Sequence, residues 1–100
     1  MKEMTKKIME FCDERGWTPY HNEKDLAISI ALEANELLEN FQWRSSEEAV
    51  ASTSQNIKEE MADVLIYLLQ LANKMNLDLE EEVYKKIEKN AVKYPVPQEV

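Results

Sequence analysis

Apolar side chains recur every three to four positions over most of the sequence, and this spacing is typical of amphipathic helices. The first predicted helix covers residues 2–15, and its apolar face consists of Met4, Ile8, Phe11 and Cys12. The only glycine, Gly16, follows directly and is the expected end of this helix. The next segment, residues 17–24, contains Pro19 and Asn22, which favour a loop.

A second helix is predicted to begin at Asp25, a suitable N-cap, and to extend to about Asn40. After it, Ser45 and Glu48 have the spacing of a capping box, which predicts a short helical piece. The polar residues 51–55 are expected to separate this piece from the helix that follows.

Two further helices complete the predicted fold. The third covers residues 56–74, and the fourth is capped by Asp78 and reaches about Val92. Because the connections are short, neighbouring helices are expected to run antiparallel. The sequence therefore predicts one all-α domain over residues 1–100, a small antiparallel helical bundle of four main helices plus the short helical piece.

The second and third helices each carry a narrow polar strip between apolar sides. On the second helix the strip consists of Ser29, Glu33, Glu36 and Asn40. On the third helix it consists of Asn56, Glu60, Asp63, Tyr67 and Lys74. In each strip two acids stand three residues apart, one turn along the same face. If the helices pack side by side, four carboxylates meet: Glu33, Glu36, Glu60 and Asp63.

Four carboxylates at one place repel one another or bind protons unless a cation joins them. Mg²⁺ is the expected ion because it takes oxygen ligands and binds phosphates. His21 is the only histidine and does not accompany the acids, which disfavours zinc and di-iron sites. Spacing alone leaves a second interpretation open, two lightly buried polar edges, because such acid pairs are common when 32% of residues are charged.

Composition narrows the possible partners. The chain has 20 acidic and 12 basic side chains and a formal charge of −8, so polymeric nucleic acid is not an expected partner. A bound cation would still allow a small polyanion to bind.

The single cysteine, Cys12, fits the reducing cytoplasm. The longest apolar run, residues 64–69, is too short to cross a bilayer, and the first residues lack the apolar stretch of a signal peptide, so no membrane partner is expected.

Two short motifs carry a resemblance to a known family. The sequence EANE at 33–36, followed by EMAD at 60–63, resembles the E-x-x-E…E-x-x-D motif of the MazG-like, all-α nucleotide pyrophosphohydrolases. The dCTP pyrophosphatase branch is the most similar, through RGW at 15–17, FQW at 41–43 and KYPV at 93–96.

The resemblance implies an enzyme that hydrolyses a nucleoside triphosphate to the monophosphate and pyrophosphate with Mg²⁺. The implied substrate is dCTP or a modified pyrimidine deoxynucleotide, and the implied role is housecleaning of the nucleotide pool. Glu33, Glu36, Glu60 and Asp63 would be both the catalytic residues and the metal ligands. One of them, with Glu36 as a candidate, would take the proton of the attacking water.

The same resemblance implies two groups of substrate-binding residues. The base pocket would be lined by Trp17, His21, Trp43 and Tyr67. The triphosphate would be contacted by Lys86, Asn90 and Lys93, with Lys24 a weaker candidate. The alternatives are that the tryptophans plug the end of the bundle and that the Lys86–Lys93 stripe is a solvated face.

The family also implies a homodimer or homotetramer with sites near subunit interfaces. The sequence departs from the family at Asn35 and Leu38, where relatives commonly have Gly and Ala. A rival hypothesis is a non-catalytic helical oligomerisation or nucleotide-sensing module.

Overall fold

The computed structural model describes residues 1–98, and all regular structure in that range is helical. The helices are α1 (Lys2–Glu14), α2 (Glu23–Glu39), α3 (Ser46–Lys74) and α4 (Leu79–Lys93), with a short 3₁₀ turn at Thr18–Tyr20. None of the helices in this part of the chain combines the length and apolar character needed to cross a membrane. The prediction of an all-α fold with four main helices is confirmed.

Helix α1 ends at Glu14, one residue before the predicted end, and Gly16 follows the C-cap Arg15 with a φ of 67°. The Gly16 N–H donates to the Asp13 carbonyl, and the Trp17 N–H donates to the Cys12 carbonyl at 3.0 Å. This pair of bonds is a Schellman motif, which requires a left-handed residue where glycine has no Cβ penalty. The motif turns the chain sharply and leaves Trp17 beside the last turns of α1.

The N-cap of helix α2 lies three residues earlier than predicted. It is Asn22, whose Oδ1 accepts a hydrogen bond from the Asp25 N–H at 2.8 Å. The prediction that Asp25 is the N-cap is therefore wrong. Asp25 lies in the first turn, where its negative charge interacts favourably with the helix dipole.

The predicted short helical piece and the third helix form one 29-residue helix, α3. Ser45 caps it as expected, with its Oγ accepting from the Glu48 N–H at 3.1 Å. The expected break within residues 51–55 is a kink at Thr53, where φ is −126° and ψ is 23°. The Thr53 hydroxyl donates to the Ala49 carbonyl, a bond of the kind that bends helices without ending them.

The core forms where α2 packs on α3 and α1 packs on α3. Its most deeply buried side chains are Cys12, Leu26, Ala49, Leu69 and Ala72. Helix α4 has no packing of comparable extent against the others. The radius of gyration is 17.1 Å, whereas a compact chain of this length has about 13 Å. Three helices therefore build the core, and α4 extends from it.

Candidate active site

The polar strips of α2 and α3 face each other, and two asparagines join them. Asn40 is buried just after the end of α2, and its Nδ2 donates to the Glu36 and Leu37 carbonyls at 3.2 and 3.3 Å. Its Oδ1 accepts a hydrogen bond from the Asn56 Nδ2 at 2.8 Å. This link fixes how α2 and α3 are aligned, because each asparagine is held at a defined position along its helix.

The alignment brings carboxyl groups from the two helices together. One carboxyl oxygen from each of Glu33, Glu36 and Glu60 lies within 4.8 Å of the others. Asp63 lies outside this distance, but its negative charge acts on Glu33 and Glu60. The structure thus assembles three of the four predicted carboxylates in one cluster and places the fourth beside it.

The cluster holds buried oxygens that the described residues do not satisfy. Glu33 Oε2 and Glu60 Oε2 are both buried and have no hydrogen-bond partner within residues 1–98. Burial, followed by the nearby carboxyl groups of Glu36 and Glu60, raises the pKa of Glu33 to about 7. Burial is also the largest cause that raises the pKa of Glu60. Such unsatisfied groups are rare in proteins and commonly indicate an ion or water.

The donor set fits a hard divalent cation. All of the ligand atoms are carboxyl oxygens, as Mg²⁺ requires, and the residues of the cluster supply neither sulfur nor imidazole nitrogen. The positive charge would remove the repulsion that raises the Glu33 pKa and would give the two buried oxygens a partner.

A cavity of about 390 Å³ lies next to the cluster, between α1, the 3₁₀ turn and α3. Its lining includes Asp63, which connects it to the carboxyl groups, and three residues predicted for the base pocket: Trp17, His21 and Tyr67. Burial and then the charges of Glu33 and Asp63 raise the pKa of the Tyr67 hydroxyl. The volume lies in the range of small-molecule sites.

Trp17 borders this cavity and is not enclosed in the core. Its ring makes an edge-to-face contact with Phe11 at a centroid distance of 5.5 Å, and about half of the residue is exposed. The Arg15 guanidinium covers the Phe11 ring at 3.6 Å. The indole is therefore held in place from one side, and its other side remains accessible.

Four predicted site residues lie apart from the cavity within one chain. Trp43, in the loop between α2 and α3, is 99% exposed and has a φ of 62°. Lys86, Asn90 and Lys93 are on α4, which does not pack along α2 or α3. The Lys93 ammonium lies 5.3 Å from the ring of its neighbour Tyr94. The roles of Trp43, Lys86, Asn90 and Lys93 stay predictions.

The sequence interpretation missed the charged residue Lys7 and the amide Gln70 in the cavity lining, as well as the less polar Ile8, Phe11, Cys12 and Ile66. Gln70 continues the polar strip of α3, three residues after Tyr67 and seven after Asp63, so the helical period could have identified it. Lys7 follows no comparable pattern. It adds one cation to the wall of a site dominated by acids.

Comparisons with known proteins show which family and which fold this chain resembles. A model described as the MazG-like family matches residues 28–100. The dCTP pyrophosphatase 1 of Rattus norvegicus is 38% identical over 87% of this chain and 54% of its own length. For the Homo sapiens protein of the same name the identity is 35%, over 86% of this chain and 54% of its own. This chain thus spans about half the length of these curated relatives.

A solved structure is similar over nearly the whole chain. The crystal structure of a pyrophosphatase from Archaeoglobus fulgidus superposes with a TM-score of 0.90 and is 47% identical in sequence. The match covers 96% of this chain and 93% of that one.

Proposed function

Because this chain belongs to the MazG-like family, we propose that it is a Mg²⁺-dependent nucleoside triphosphate pyrophosphohydrolase. The observation that carries the proposal is the cluster of three carboxyl groups, with two buried oxygens that lack a partner among residues 1–98, beside a cavity of about 390 Å³. The names of the relatives support dCTP as the proposed substrate. A modified pyrimidine deoxynucleotide is the other proposed substrate. A role in clearing the nucleotide pool of the cytoplasm fits this chemistry.

Glu33, Glu36, Glu60 and Asp63 are the proposed ligands. A bound Mg²⁺ supplies positive charge for the phosphates and lowers the pKa of water. This charge is needed because the chain carries a formal charge of −8 and the triphosphate is itself an anion.

The proposed reaction is an attack by a water oxygen on the α-phosphorus. The bond between this phosphorus and the oxygen that leads to the β-phosphorus breaks, and pyrophosphate leaves with that oxygen. The proton of the water passes to a carboxylate. Glu36 is the proposed acceptor because it is the exposed member of the cluster and therefore the one that water reaches most easily.

A second copy of the chain is proposed to complete the site, in a homodimer or homotetramer. Helix α4 exposes Val83, Tyr84 and Ile87 without packing against the core. Such a face on a small protein is typical of an interface. A partner would also explain why Trp43 and Lys93 lie apart from the cavity of their own chain.

Pyrophosphate release from a panel of deoxynucleoside triphosphates, with Mg²⁺ or with EDTA, tests the proposal. We expect turnover with Mg²⁺ only, and no turnover for Glu60→Gln although its circular dichroism is unchanged. Glu59→Gln is the matched control, since Glu59 is the exposed neighbour on the same helix. Full activity of Glu60→Gln would refute the metal assignment. Nucleotide binding without turnover in the parent would favour the nucleotide-sensing module.

A further inference from the structure

Gln70 is a buried polar residue in the wall of the cavity. Only 5% of its surface is exposed, and it lies on the cavity side of α3. A buried amide needs hydrogen-bond partners for its oxygen and for its nitrogen.

The oxygen of this amide already has two donors. His21 Nδ1 lies 2.9 Å from Gln70 Oε1, and Cys12 Sγ lies 3.6 Å from the same atom. A carbonyl oxygen only accepts, so His21 carries a proton on Nδ1. Burial raises the pKa of the Cys12 thiol, which therefore keeps its proton and donates. The two donors fix the oxygen on their side and turn the NH₂ group away from them.

The opposite side of the amide is left for a ligand. None of the hydrogen bonds in the described part of the chain uses Gln70 Nε2. Gln70 lines the cavity, which therefore has a hydrogen-bond donor in its wall.

We infer that Gln70 determines base specificity by donating from its NH₂ group to N3 of a pyrimidine. Cytosine presents an acceptor at N3 beside a donor at N4. Uracil and thymine present the reverse, a donor at N3 beside an acceptor at O4. The inference rests on the proposed function, and it assigns the base choice to the Gln70 amide, which His21 and Cys12 orient.

The ratio of kcat/KM for dCTP over dUTP tests the inference, because these substrates differ only at the edge in question. Gln70→Glu keeps an oxygen for His21 and Cys12 but replaces the donor by an acceptor. We expect the ratio to fall by roughly ten- to a hundredfold in this variant. Gln70→Met, which lacks both groups, should bring the ratio close to that of an unselective site. A ratio taken within one preparation is insensitive to partial unfolding.

Gln55→Glu is the matched control, because it makes the same substitution at an exposed position of α3. It should keep the parent ratio. Gln70 variants that keep the parent ratio would overturn the inference, and so would a parent that prefers dUTP. Isothermal titration with dCMP and dUMP makes the same comparison without turnover. If the parent binds dCMP selectively but hydrolyses no nucleotide, the proposed function is wrong. Recognition of the base by Gln70 is then still supported.

Discussion

Glu33 holds a carboxyl group in an unfavourable environment. Its Oε2 is buried without a partner among residues 1–98, and the carboxyl groups of Glu36 and Glu60 are its neighbours. In the unfolded chain the group has its ordinary pKa of 4.5, whereas in the folded chain the pKa is about 7. Folding therefore binds a proton at Glu33 between these two values, which ties stability to pH.

The first prediction concerns this pH dependence. From about pH 4.5 to about pH 7 the unfolded state loses the Glu33 proton while the folded state keeps it, so the metal-free protein should lose stability as pH rises. Relative to Glu33→Gln, which cannot ionise, the parent should lose about 1–2 kcal/mol, because water at the open side of the site screens part of the effect. Urea unfolding of both proteins in EDTA from pH 5 to pH 8 measures this. Glu39→Gln, at an exposed position of α2, keeps Glu33 and should therefore lose stability with rising pH as the parent does.

The second prediction concerns the metal. Mg²⁺ binds the deprotonated carboxylates, so it should raise the melting temperature more at pH 8 than at pH 6. EDTA should reverse the rise, and Glu33→Gln should show a smaller one. An equal rise for the parent and for Glu33→Gln would mean that the ion binds elsewhere.

Some residues were predictable from the sequence, and others depended on packing. The acids of the site were predictable, because Glu33 and Glu60 interrupt apolar faces at helical spacing. The N-cap was not, because Asn22 and Asp25 are both good capping residues and local chemistry does not choose between them. The helical period places Gln70 on the polar strip of α3, but its orientation was not predictable, because the contacts from Cys12 of α1 and from His21 after the 3₁₀ turn depend on packing.

At the scale of the helices, the register of α2 on α3 depends on the asparagine link. The third prediction is that Asn40→Ala lowers the free energy of unfolding by about 1–3 kcal/mol, because it leaves buried groups unpaired. It should also weaken the stabilisation by Mg²⁺, since the carboxyl groups would no longer be held in alignment. Urea unfolding with and without Mg²⁺ measures both effects.

Asn35→Ala is the control for this variant. Asn35 is exposed on the same helix and its Nδ2 donates only to the Glu39 side chain, at 3.3 Å. Its loss should change stability by less than about 0.5 kcal/mol. If Asn40→Ala behaved like Asn35→Ala, the register would have to depend on the apolar contacts alone.

The existence of the helices followed from periodicity, but the continuity of α3 did not. Polar residues 51–55 weaken the apolar pattern, which predicts an interruption. In the structure the helix continues through this segment with a single non-helical residue, Thr53. The hydroxyl of Thr53 donates a hydrogen bond to the Ala49 carbonyl and so keeps the two parts of the helix joined. Whether a polar segment bends a helix or ends it depends on such a bond, which composition does not reveal.

At the scale of the whole molecule, periodicity predicted α4 but not what it packs against. Its N-cap, Asp78, forms the expected bond to the Glu81 N–H at 3.2 Å. Its apolar residues follow the helical period and still remain exposed in one chain, with Tyr84 at 63% and Ile87 at 57%. An amphipathic pattern shows that a face is suited to burial, and it does not show whether the partner is the same chain or a second copy.

The fourth prediction follows from this exposed face. If a second copy covers α4, the parent should have at least twice the 11.7 kDa mass of one chain by size-exclusion chromatography with light scattering. Ile87→Glu should shift the mass towards the single chain, because a charge in an apolar interface is strongly unfavourable. Lys89→Glu introduces the same residue on the opposite side of the helix and should leave the mass unchanged. A parent that runs as one chain would refute the interface, and Lys86 and Lys93 would then have no route to the site.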